Sequence, residues 1–140
     1  MKFSIKHIAI ATLFTLSTGV MAEVSVITHP SNGDSMDVKT VSKIFLGKSK
    51  KFPGGVEAVP IEQVKTTVTH VEFHENVTHK KPSQLTSYWS RIVFTGKGQP
   101  PKEVGSDAEV VSLVSRNPNM IGYVDSSAVN ESVKVVLTAP

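Results

Sequence analysis

None of the 140 residues is a cysteine, and yet the chain opens in the manner of an exported one. Lys2 and Lys6 precede an uncharged run from Ile8 to Met21, and Val20-Met21-Ala22 puts small residues at the two positions a signal peptidase reads. An exported chain without thiols has no disulfides to staple it, so whatever follows the leader must be held by a packed core. The expected cut after Ala22 leaves residues 23–140, room for one domain with one core and not for two. The apolar run of about a dozen residues is shorter than the roughly 20 that span a bilayer, and no second such run follows. The expected product is therefore a periplasmic protein without membrane insertion.

Charge excludes one class of partner. Lys2 and Lys6 leave with the leader, which takes 15 basic residues to 13 against 12 acidic ones, a net charge of +1. Arg91 and Arg116 are the only arginines, and the lysines are scattered apart from Lys48, Lys50, Lys51 and the pair Lys80-Lys81. No basic stripe is present, and no nucleic acid partner is expected.

The rest of the chain alternates between the two periodicities. Val24 to Thr28 is β-branched and stops at His29-Pro30-Ser31-Asn32-Gly33, a string of turn formers, which predicts a strand. Val38, Val41, Ile44 and Phe45 recur at helical spacing between Asp37, an N-cap, and Gly47, a terminator. Ala58 to Ile61 is a second strand. Val64 to Val77 is ambiguous, and its alternating valines and threonines favour a strand by propensity. From Ser83 to Thr95, Leu85, Tyr88, Trp89, Ile92 and Val93 line one helical face, with Ser83 as the cap, Gly96 beyond the end and Trp89 expected in the core. Gly96 to Gly105 is expected to be loop. Ser106 and Glu109 form a capping box for a helix that Asn117-Pro118 ends, and Ile121 to Val124 and Val133 to Leu137 are strands. Strands alternating with helices predict an α/β layer structure on a mixed sheet.

Several segments carry a resemblance. The strand with His29-Pro30-Ser31-Asn32 and the helix ending Lys43-Ile44-Phe45-Leu46-Gly47-Lys48 resemble phosphate-type periplasmic binding proteins. So do Tyr88-Trp89-Ser90-Arg91, Phe94-Thr95-Gly96-Lys97-Gly98-Gln99-Pro100-Pro101 and Asn117-Pro118-Asn119-Met120-Ile121-Gly122-Tyr123-Val124. Together they resemble short exported relatives of the phosphate ABC transporter substrate-binding proteins, over nearly all of residues 23–140. The resemblance implies one lobe of a type II periplasmic binding protein, a mixed sheet flanked by helices, and turns residues 64–77 into a helix. It also implies a non-enzymatic role in transport or sensing, with an oxyanion, phosphate foremost, held at a helix N-terminus. On that alignment Thr67 stands for a serine hydroxyl, Thr66 for a glycine and His70 for an arginine, with Ser31, Asn32 and Gln63 assisting. An imidazole lacks the permanent charge and bidentate fork of a guanidinium, so the departure at His70 weakens anion binding. A homodimer or an envelope protein partner is expected to supply the missing wall.

Two other readings stand beside it. One is an accessory subunit of an envelope complex that has lost its ligand. The other is a metal-binding protein using His70 and His74, which share a face four residues apart on a helix but lie about 13 Å apart on a strand. No Gly-x-Ser-x-Gly elbow, His-Glu-x-x-His pair or phosphate-binding glycine loop occurs, so neither an enzyme nor a cofactor is expected.

Overall fold

The computed structural model describes residues 23–140; the expected leader, residues 1–22, lies outside them. Five strands form one mixed sheet in the order β3-β2-β4-β1-β5. Strand β1 (Val24–Thr28) runs antiparallel to both β4 (Met120–Asp125) and β5 (Lys134–Ala139). Strand β2 (Val59–Gln63) runs parallel to β4 and to the three-residue edge strand β3 (Lys102–Val104). Strand β3 falls inside the stretch 96–105 that was expected to be all loop; an edge strand this short leaves no pattern of its own, because its neighbour β2 supplies the ladder.

Helices cover the sheet on both faces. On one, α1 (Val38–Phe45) and α2 (Val68–Phe73) pack Val41, Ile44, Phe45 and Phe73 against Val24, Val26, Ile121 and Tyr123. Phe73 stacks on Tyr123 with ring centroids 3.9 Å apart, and Phe45 meets Phe73 edge-on at 4.7 Å, arrangements that add to simple burial. On the other face, α4 (Asp107–Arg116) seats Val110, Val111 and Val114 against Ile27, Ile61 and Val124. The α/β architecture expected from alternating patterns is the one observed.

The caps are local and follow the expected chemistry. Asp37 accepts from the Thr40 amide at 2.8 Å, and Gly47 takes the left-handed φ of +71° that ends α1. Ser106 accepts from the Glu109 amide at 3.2 Å, while the Glu109 carboxylate reaches back to the Gly105 amide at 3.3 Å rather than to that of Ser106.

Two expectations fail on tertiary grounds. The strand favoured by propensity over 64–77 is a turn, then α2, then a π-helical turn His74–Thr78. Burial of His70, Phe73, His74 and Val77 on a single helical face outweighs the β-preference of the valines and threonines. The helix implied by the resemblance is the one present. The second failure is α3 (Pro82–Phe94), which begins with Pro82 at its first turn, not with a Ser83 cap, and buries only Leu85. Trp89 is half-buried, not core, and Phe94 is 92% exposed. Among the described residues, nothing covers Val93 and Phe94 of this helix, which stay exposed.

Candidate functional site

Strand β2 ends in two polar residues that point into protein. Glu62 is 4% exposed and Gln63 1%. The chain then turns through Val64–Thr67, where Thr67 hydroxyl donates to Val64 O at 3.1 Å and accepts from the His70 amide at 3.2 Å, starting α2. One helical face now carries His70 and His74, each 1% exposed, back over the end of β2. Their rings lie 4.6 Å apart, centroid to centroid.

The Glu62 carboxylate is the point on which this cluster converges. His74 Nε2 lies 3.0 Å from both of its oxygens, His70 Nδ1 lies 3.2 Å from Oε1, and the Tyr123 hydroxyl donates to Oε1. Burial alone raises a carboxyl, but hydrogen bonds from His70, His74 and Tyr123 and the charge of His74 outweigh it, so Glu62 ionises below the ordinary carboxylate value. The Tyr123 phenol is pushed strongly upward, by burial first and then by the neighbouring carboxylate. It remains a proton donor.

Ring nitrogens are assigned by their partners. Gln63 O, which can only accept, lies 3.0 Å from His70 Nδ1, so that nitrogen carries the hydrogen. His70 Nε2 is then a buried lone pair with no partner. Thr78 Oγ1 lies 2.8 Å from His74 Nδ1 and 3.1 Å from His74 O, and its one hydrogen can serve either.

Beside the cluster opens a cleft of about 490 Å³. Glu62, His70 and Lys65 form its polar side; Leu85, Trp89, Val93 and Phe94 of α3, with Pro100 and Pro101, form the apolar side. Glu62 and His70 are thus shielded from solvent yet border an open space.

Of the residues expected to hold an anion, the fold brings some together and separates others. Gln63 ends β2, and Thr66, Thr67 and His70 follow it. Ser31 and Asn32 follow β1, whose pairing with β4 (Val24↔Asp125, Thr28↔Ile121) puts them at the other end of the sheet, where Val59 and Met120 pair. They cannot share a ligand with Thr66. Gln63 spends both amide hydrogens, on Asp107 Oδ1 at 2.6 Å and Tyr123 O at 3.1 Å. Ser31 Oγ is engaged with His29 Nδ1 at 2.7 Å and Asn32 Oδ1 with the Asp34 amide at 2.9 Å. Thr66 and Lys65 remain exposed. Sequence reasoning missed Glu62, Tyr123 and Thr78, because nothing in local spacing says that a strand-end carboxylate and a tyrosine 61 residues later meet.

The fold, a mixed sheet with helices on both faces, is the one found in a lobe of the periplasmic binding proteins it matches. Solved structures that it matches include phosphate-binding transport proteins. One, from Clostridium perfringens, is described as a phosphate ABC transporter substrate-binding protein with bound phosphate; the match has a TM-score of 0.65 at 24% identity and covers 82% of this chain and 45% of that one. An ABC-type phosphate transport receptor from Vibrio cholerae gives 0.64 at 13% identity, covering 82% and 46%. PstS from Borrelia burgdorferi gives 0.61 at 14% identity, covering 82% and 47%. The chain therefore spans less than half the length of these proteins. No family model matches the sequence, and no curated protein matches it.

Proposed function

We propose that this chain is an exported, substrate-binding-protein-like lobe that takes an oxyanion, phosphate in the first place, at the turn between β2 and α2. The observation that carries the reading is the shared fold, over 82% of the chain, with a structure that holds phosphate. Local chemistry supports it at one place. Thr67 uses its hydroxyl on the His70 amide, and the helical ladder begins with the Val71 amide on Thr67 O. That leaves the Val68 and Thr69 amides ahead of the ladder, where first-turn N–H groups favour an anion. The exposed Thr66 hydroxyl and the Lys65 ammonium flank them. In this reading His70 is a floor beneath the anion, since its Nδ1 is turned to Gln63 O, and Ser31, Asn32 and Gln63 take no part.

Among the described residues no helix is long and apolar enough to cross a membrane. Titration calorimetry on residues 23–140 with inorganic phosphate and with sulfate tests the reading. Saturable phosphate heat that weakens at least about 10-fold in Lys65→Ala and in Thr66→Val supports it, the loss corresponding to about 1.4 kcal/mol. Silence with both anions removes it and leaves an interaction module that keeps the lobe without its ligand.

A further inference from the structure

We infer that Glu62, His70 and His74 form a binding site for a divalent transition metal of the zinc type, reached through the cleft beside α3. This does not rest on the oxyanion reading. The three side chains offer two imidazole nitrogens and a carboxylate oxygen, all within 4.8 Å of one another and all buried. Two imidazoles and a carboxylate are a donor set that zinc takes, with metal–ligand bonds of about 2.0–2.2 Å and hence ligand–ligand edges of roughly 3.3 Å in a tetrahedron. The edges from Glu62 are 3.0 Å to His74 Nε2 and 3.2 Å to His70 Nδ1, so two of the three ligand–ligand edges are already close to those of a coordination sphere.

The strongest indication comes from His74. Thr78 Oγ1 lies 2.8 Å from Nδ1 and can accept its hydrogen. His74 Nε2 lies 3.0 Å from both carboxylate oxygens, a contact that either a proton on Nε2 or a metal ion bridges. Thr78 is also the outer partner that metal-ligating histidines ordinarily have, fixing the ring and the tautomer. When a metal sits there, His74 carries its hydrogen on Nδ1, and His70 gives up the bond from Nδ1 to Gln63 O, offers that nitrogen and carries its hydrogen on Nε2. Tyr123 continues to donate to the carboxylate.

Glu62 and His70 border the cleft, which supplies both the entry path and the fourth coordination position, open to water or an exogenous ligand. A site with three protein ligands and one open side exchanges its metal more readily than a closed four-ligand one.

The test uses the chelator-treated protein in buffer free of phosphate, with zinc alone. One equivalent is expected to bind saturably, and the ring nitrogen resonances of His70 and His74 are expected to move while those of His29 and His79 stay. Glu62→Gln should abolish binding, Thr78→Val should weaken it about 10–100-fold, and His29→Ala and His79→Ala should leave it unchanged. Because buried variants can misfold, the wild-type histidine spectrum decides by itself: shifts confined to His29 and His79, or no shift at all, overturn the site. Anion calorimetry is unaffected by that outcome, so failure here and failure of the oxyanion reading are distinguishable.

Discussion

Tyr123 brings its hydroxyl to a place where three buried polar groups need it. It donates to Glu62, accepts from the Gln63 amide at 3.2 Å and lies 3.1 Å from His70 Nδ1. Its ring meanwhile stacks on Phe73. Tyr123→Phe keeps the stack and removes the oxygen, so the change isolates the polar contribution. Leaving the Gln63 amide and a buried carboxylate short of partners should cost about 1–3 kcal/mol. Urea unfolding checks this: the midpoint should fall with the slope unchanged. A variant as stable as the parent would mean that water or a side-chain shift replaces the hydroxyl.

At the scale of elements, the closest packing is between α4 and β4. A Cβ built on Gly122 would lie 2.5 Å from Val110 Cγ1 and 3.4 Å from Val114 Cγ2, so the strand has room there for hydrogen alone. Gly122→Ala should push α4 off the sheet and cost about 1–3 kcal/mol, read as a lower thermal midpoint with intact helical circular dichroism at low temperature. Elements of this kind differ in how visible they are beforehand. Helices α1 and α4 were legible because Asp37, Gly47 and Ser106 act on backbone groups within a few residues of themselves. Strand β1 was legible because its β-branched run ends at a turn former. Residues 64–78 were not, since β-branched side chains there are overruled by burial against a sheet that the local sequence does not contain. The site shows the same division: Thr67 and the His70/His74 spacing could be read locally, whereas Glu62 and Tyr123 join them only through strand pairing. The separation of Ser31 and Asn32 from Thr66 likewise depends on the antiparallel direction of β1.

For the molecule as a whole, the governing fact is that one lobe covers less than half of each phosphate receptor it resembles. An anion held on a single open surface keeps most of its hydration and gains little from the surrounding charges. Under the oxyanion reading, a second copy of residues 23–140 would supply a second wall. Light scattering on residues 23–140 should then give the monomer mass without ligand and twice that mass with millimolar phosphate. A mass that stays monomeric while phosphate binds would rule out the second copy and turn the search to an envelope partner.

Strand β1 has as its neighbours β4 and β5, both of which begin more than 90 residues further along. A ribosome delivers the chain from its start, so β1 waits, without its own ladder partners, until β4 and β5 have emerged. During that wait the sheet has an unfilled centre and the polypeptide stays threadable. Under the export proposed above, late closure of this kind would keep the chain able to pass through a narrow translocation channel.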